Sequence, residues 1–292
     1  MSSFIKTLKN SKNEIVLYKL NETILNQQPK KTTLINETID ICFLDLETTG
    51  FNLDLDKIIE IAIKLVKIDK NDGGIIEFLD YYESFQDPHQ IIENKITQIT
   101  GITNEMVSGF SIDWEIVKSI IDKADILLAH NAKFDRGFLD RYLPLSKDKL
   151  WTCSIGDINW IKRGFTKNSL ELLSIWHGFY YESHRAMNDV DAVIHLLTHH
   201  YYNDTNDDKP ILELIENSQQ TYYKVIANNS PFEKKDMLRA NSYIWNPKKK
   251  YWWKRTSQKQ AETEKNWLAN NIYNGYFNGS FEKIEINDRY KN

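Results

Sequence analysis

Three stretches carry apolar residues at the two-residue period of a strand: IDICFLDLE (39–47), KIIEIAIKLVKID (57–69) and IIEFLDYYESF (75–85). NDGG (71–74) between the last two is a hairpin signal, so these strands are expected to run antiparallel. The period then lengthens. IDWEIVKSIIDKAD (112–125) has helical spacing, ILLAH (126–130) reads as a short buried strand, FDRGFLDRYL (134–143) as a helix and KLWTC (149–153) as a last strand. Helices follow near 169–177 and 186–200. Three strands and then α-β-α-β-α predict an α/β fold, a mixed five-stranded sheet flanked by helices. Residues 1–37 read as a polar lead-in with one strand-like piece, EIVLYKL (14–20).

YYNDTNDDKP (201–210) is a polar, acidic break ending in proline and reads as a linker, with a helix expected over 211–220. YYKVIA (222–227) is strand-like. Ser230-Pro231-Phe232-Glu233 has the form of a capping box with proline at the first helical position. SYIWN-PKKK-YWWKRT (242–256) reads as two aromatic strands around a Pro-Lys turn, and a last helix carries Trp267. The expected organisation is therefore a lead-in (1–37), a main domain (38–202), a linker and helix (203–220) and a small α+β C-terminal module (221–292).

Composition sets bounds on this picture. The 292 residues, 41% hydrophobic and 27% charged, suffice for a sizeable core. No apolar run approaches the roughly 18 residues of a membrane span, and the N-terminus lacks the apolar stretch of a secretory signal. Cys42 and Cys153 stand far apart with no Cys/His spacing around them, which fits neither a disulfide framework nor a zinc site. A reducing, cytoplasmic setting is the expectation. The net charge of -4 hides an asymmetry: residues 221–292 hold 14 Lys+Arg against 7 Asp+Glu, a net of +7, which leaves -11 for residues 1–220. An acidic body with a basic tail suggests two modules with different tasks.

The candidate chemistry begins at FLDLETTG (43–50). Side chains two apart on a strand share a face, so Asp45 and Glu47 point the same way. Two such carboxylates stay ionised cheaply only beside a cation, and oxygen ligands suit Mg²⁺ or Mn²⁺. The alternative is a strand end with two solvated acids. HNAKFD (130–135) puts Asp135 in the first turn of a helix, where dipole complementation alone would account for it. HRAMND (184–189) opens the helix that runs to about 200. Helical spacing puts Asp189 on the rim of that helix's apolar face and turns Asp191 toward solvent. It also leaves His184 on the preceding loop, as a loop residue or as a base.

DLETTG, HNAKFD and HRAMND in this order, with ITGIT at 99–103, resemble the DEDDh group of 3'-5' exonucleases, the family of the DNA polymerase III proofreading (epsilon-like, DnaQ-like) domain. The resemblance covers roughly residues 38–200, and departs from the usual pattern at Glu93, where a proline is frequent. It implies an RNase H-like fold with the strand of Asp45 and Glu47 central in the sheet. It implies two metal ions, Mg²⁺ or Mn²⁺, held by Asp45, Glu47 and Asp189, with Asp45 touching both and Asp135 contributing directly or through water. It further implies that His184 takes a proton from the attacking water, and that Thr48, Thr49 and Gly50 contact the 3'-terminal nucleotide with Asn131 in support. The chemistry is consistent with these residue types. Two metals neutralise the attacking and leaving oxygens of a phosphodiester, and imidazoles ordinarily titrate near 6.5.

NPKKKYWWKR (246–255) lies within a segment, 224–255, that holds 9 basic and 2 acidic residues. Its aromatics can stack on single-stranded bases or simply fill the core of a small module. Adjacent strand residues face opposite sides, so Trp252 is expected inside, helped by Trp245, with Trp253, Lys249, Lys250 and Arg255 outside as candidate substrate contacts. The segment also resembles a small C-terminal module attached to some bacterial exonucleases of this group. The expected activity is metal-dependent 3'-5' hydrolysis of DNA, single-stranded or frayed. Trimming of RNA ends or short oligoribonucleotides is the alternative within the same chemistry. A non-catalytic nucleic-acid-binding or polymerase-accessory subunit is the alternative of another class. Expected partners are nucleic acid and a replication or repair protein, with no membrane.

Overall fold

The computed structural model describes residues 14–21, 37–199 and 209–291. Most of the expected lead-in, residues 1–13 and 22–36, and the break over 200–208 lie outside them. The described residues divide into two compact units, one running to Ser218 and including Tyr290, the other spanning Gln219–Arg289.

The first unit is built on β2 (Thr38–Thr48), β3 (Ile58–Asp69), β4 (Ile75–Phe85), β5 (Ile126–Ala129) and β6 (Leu150–Cys153). They form one five-stranded sheet in the order β4-β3-β2-β5-β6. β2 pairs antiparallel with β3, which pairs antiparallel with β4, whereas β2–β5 and β5–β6 are parallel. This is the mixed sheet the sequence predicts, and it leaves β2 in the centre. Gly73, at φ 66°, supplies the left-handed residue that the β3–β4 turn needs.

Alternation along β2 divides the core. Ile41 and Phe43 face one side with Ala62 and Val66, under Val190, Val193, Ile194 and Leu197 of α6 (Ala186–Thr198). Cys42, Leu44 and Leu46 face the other, against Val117 and Ile121 of α3 (Trp114–Lys123) and Phe138 and Leu139 of α4 (Ala132–Tyr142). Asp45 and Glu47 continue the Ile41/Phe43 row and therefore open on the side that α6 covers. The short α1 (Asn94–Thr100) and α2 (Asn104–Val107) follow β4, α5 (Leu170–Trp176) precedes β7 (Phe179–Tyr180), and α7 (Pro210–Ser218) closes the unit. β1 (Tyr18–Lys19) pairs in parallel with β7.

Asp191 departs from the expectation of a solvated residue. It is only 9% exposed, and Lys64 Nζ donates to its carboxylate at 2.5 Å. Lys64 stands opposite Phe43 in the β2–β3 register, hence on the face that α6 covers, so the helix meets a cation where periodicity alone predicts water.

The second unit is a four-stranded antiparallel sheet, order β11-β8-β10-β9. Its strands are β8 (Tyr222–Ala227), β9 (Ile244–Asn246), β10 (Tyr251–Ser257) and β11 (Gly279–Ile284). Leu238 of α8 (Lys235–Ala240) and Leu268 of α9 (Ala261–Asn271) pack with Ile272 onto Val225, Ala227 and Trp252 on one sheet face. The capping box expected at Ser230 does not form. Pro231 leads into a short 3-10 turn, Phe232–Lys234, with no side-chain cap, and α8 starts only after it. Trp252 is 8% exposed, but Trp245, expected to help fill the core, is 43% exposed. β9 is an edge strand, so its inward face is covered from one side only.

Candidate active site

Asp45 and Glu47 stand two residues apart near the end of β2, and Asp189 lies in the first turn of α6. One carboxylate oxygen from each of the three falls within 4.8 Å of the others. Asp135, in the first turn of α4, is 2% exposed and accepts a hydrogen bond from the Leu46 amide at 3.2 Å. That bond ties α4 to the strand between the two acids. The carboxylates of both helices are thus brought to one strand end, and favourable interaction with helix N-termini makes their burial there less costly.

The electrostatics are those of crowded anions. Burial first, and then the charges of Asp135, Asp189 and Glu47, push the Asp45 carboxyl well above the usual carboxylate range. Burial, Asp189 and Glu60 push Glu47 up to about 8. Burial raises Asp135 to about 7 and Asp189 to about 6, partly offset in each by hydrogen bonds to the ionised form. Asp45 and Glu47, raised furthest by burial and by their neighbours, ionise fully at neutral pH only if positive charge is brought in. An all-oxygen, strongly anionic donor set suits a hard divalent cation, and these residues fit the metal ions that the sequence resemblance implies.

His184 occupies the loop between β7 and α6 at φ 63°, in the left-handed region that costs energy for a residue with a Cβ. It lines the same cleft, of about 370 Å³, as Asp45, Glu47, Asp135 and Asp189. Thr48, Gly50 and Asn131 also line it. Thr49 does not. Its hydroxyl donates to Asp56 at 3.1 Å and accepts from the Lys57 amide and the Gln90 side chain, so it braces the loop. A Cβ at Gly50 would stand 2.5 Å from the Asp56 carboxylate, so a larger residue there would push aside the side chain that Thr49 holds. The tail candidates belong to the second unit. Lys249 and Lys250 are exposed at its turn, Trp253 is half-buried with Lys224 Nζ 5.4 Å from its ring, and the Arg255 guanidinium lies 4.7 Å over Tyr222.

Four further residues shape the site without having been singled out in the sequence. Tyr181 donates to Asp189 Oδ1 at 2.9 Å and lines the cleft, its phenol pushed up by burial and by the Asp189 charge. Glu60 stands opposite Glu47 on β3 and is 4% exposed. It accepts from Arg185 Nη2 at 2.9 Å and from the Ala186 amide at 3.0 Å, which pins the start of α6 to the sheet. Phe51, 82% exposed, lines the cleft with Phe134, their ring centroids 5.8 Å apart. A glutamate in a strand or a phenylalanine in a loop carries no local signal of such a role. Position in three dimensions supplies it.

The family model described as RNase_T: Exonuclease matches residues 42–197. The DNA polymerase III PolC-type of Clostridium perfringens (strain 13) is 35% identical over 162 residues, covering 52% of this chain and 10% of that protein. The protein of the same name from Bacillus subtilis (strain 168) is 32% identical over 174 residues, with shares of 56% and 11%. The chain thus spans about a tenth of the length of these curated relatives. Among solved structures, Exonuclease X in complex with 5' overhanging duplex DNA is 22% identical and covers 59% of this chain and 99% of that one, at a TM-score of 0.40. The family match takes in Asp45, Glu47, Asp135, His184 and Asp189, and the chain belongs to this exonuclease family, in its DnaQ-like DEDDh group.

Proposed function

We propose that this chain is a metal-dependent 3'-5' exonuclease that releases nucleotides from the 3' end of single-stranded or frayed DNA. The observation that carries the reading is the convergence of Asp45, Glu47 and Asp189 within 4.8 Å, in a cleft that also holds Asp135 and His184. Asp45, Glu47 and Asp189 would hold Mg²⁺ or Mn²⁺, with Asp135 beside them. Two ions so held supply charge neutralisation at the attacking and leaving oxygens and make water a better nucleophile at neutral pH.

The chain's own residues do the rest. Tyr181 and the Arg185 amide fix both oxygens of Asp189, at 2.9 and 3.2 Å. His184 is the proposed general base, an imidazole on a constrained loop facing the cleft and able to take the proton of the attacking water. His130 is poorly placed for that task. Its Nδ1 is engaged by Ser154 at 2.6 Å and its Nε2 donates to the Asn168 carbonyl at 2.9 Å. Phe51, Phe134 and Ile99 give the terminal nucleobase an apolar wall. Thr48 and Gly50 lie at the strand end beside the acids, where the sugar would be read.

The test uses DNA and RNA oligomers labelled at the 5' or the 3' end, single- and double-stranded, with Mg²⁺, Mn²⁺ or EDTA, beside Asp45→Ala and His184→Asn. Stepwise shortening from the 3' end of DNA, lost in EDTA and in both variants, is expected. Degradation by the variants at the unmutated rate would sink the assignment. Faster trimming of RNA than of DNA would replace the substrate but keep the chemistry.

A further inference from the structure

The second unit leaves a tryptophan where a small domain has most reason to bury it. Trp245 on the edge strand β9 is 43% exposed, and its neighbour Ile244, on the opposite sheet face, is 58% exposed. The Trp245 ring lies 5.6 Å from that of Trp252, which is buried and carries the Arg239 guanidinium 5.6 Å from its centroid. Trp245 is therefore backed by a fixed aromatic wall with a cation nearby, and its accessible surface is open to a ligand.

Past the end of β9 the turn presents Lys248, Lys249 and Lys250, all exposed and none in an ion pair with a carboxylate among the described residues. The turn is set by the sequence: the Asn246 side chain accepts from the Lys249 amide at 2.9 Å, and Lys250 adopts φ 55°. Three lysines on a turn held in one conformation, beside an exposed ring, disfavour a cationic partner and favour one that carries negative charge. A polyanion whose flat rings can stack answers both features.

We propose that the β9–β10 hairpin is a binding site for single-stranded nucleic acid, with a base stacked on Trp245 and the flanking phosphates at Lys248, Lys249 and Lys250. The site rests on the exonuclease reading for its biological sense, but its chemistry is independent of the acidic cleft. It also shifts the stacking role from Trp253, whose ring is approached by Lys224 within its own sheet, to Trp245.

The experiment keeps the full chain and separates binding from hydrolysis. Asp45→Asn protein is titrated against 5'-labelled oligo(dT), oligo(rU) and a blunt duplex, by fluorescence anisotropy at several salt concentrations. Added Trp245→Ala is expected to weaken single-strand binding about tenfold, with Trp245→Phe retaining most of it. Changing the three lysines to alanine is expected to lower the salt-dependence slope by about 2. In the otherwise unmutated chain, hydrolysis of the p-nitrophenyl ester of thymidine 5'-monophosphate, which offers no flanking nucleotides to the hairpin, should be unchanged by either substitution. Unchanged affinity and slope, or duplex bound as tightly as single strand, overturns the hairpin site while leaving the active-site reading intact. Tight binding without ester hydrolysis by the unmutated chain does the reverse. Stronger binding of oligo(dT) than of oligo(rU), or the opposite, identifies the strand it takes. Thermal melts of each variant verify folding, which the exposure of all four side chains favours.

Discussion

Asp45 concentrates the tension in the cleft, because it is raised by burial and by four neighbouring acids at once. Removing its charge should relieve the others. Asp45→Asn is therefore expected to abolish hydrolysis yet raise the melting temperature of the metal-free protein by several degrees. Added Mg²⁺ should stabilise the unmutated chain markedly and the variant hardly at all, as calorimetry with and without EDTA would reveal. Phe51 makes the opposite kind of contribution. An 82% exposed ring does little for the core, so its truncation should leave stability unchanged. If it stacks on the terminal base, Phe51→Ala raises KM about tenfold with kcat little altered, a split that steady-state kinetics resolves.

At the scale of elements, the site depends on where α6 begins. Its N-cap, Arg185, makes no side-chain cap bond, and the first turn is held instead by Asp189 from within and by Glu60 from the neighbouring strand. Glu60 serves there as a cap delivered across the sheet, and the Arg185 guanidinium beside it lets that carboxylate stay buried. Glu60→Gln is expected to cost about 1.5–3 kcal/mol in urea unfolding, the range for a hydrogen bond to a charged group. It should also lower kcat about tenfold through a displaced Asp189, while a conservative Arg185→Lys retains more activity. Equal kcat in Glu60→Gln would show that the helix start needs no such anchor.

For the whole first unit, two sets of buried groups give opposite pH dependence. Burial lowers His130 and His177 to about 4 and His195 to about 3. The folded state then binds fewer protons than the unfolded chain below about 6.5, so this contribution to stability is lost as pH falls through that window. The acids are raised, so the folded state without metal binds more protons than the unfolded chain from about pH 4 up to about 8, and stability is lost as pH rises. Above pH 6.5 only the acids still act. In EDTA the urea midpoint should therefore decline between pH 6.5 and 8.5, and saturating Mg²⁺ should flatten that decline. A flat profile in EDTA would mean that the acids are not crowded in solution.

Much of this was legible in the chain itself. The succession of strands and helices along the chain followed from apolar periods and one hairpin signal, because a half-buried strand and an amphipathic helix must repeat at 2 and 3.6 residues, whereas the central place of β2 came from the family resemblance. The pairing of Asp45 with Glu47 followed from the same alternation, and the rim position of Asp189 from helical geometry. Tertiary structure decided what depends on neighbours distant in sequence. Lys64 turned Asp191 from a solvated residue into a buried partner, Glu60 became the anchor of α6, and Tyr181 reached Asp189. It also exposed Trp245, since nothing in a tryptophan's own sequence context says that its strand will lie at the edge of a sheet. Local period fixes which side chains share a face, and only packing fixes what that face meets.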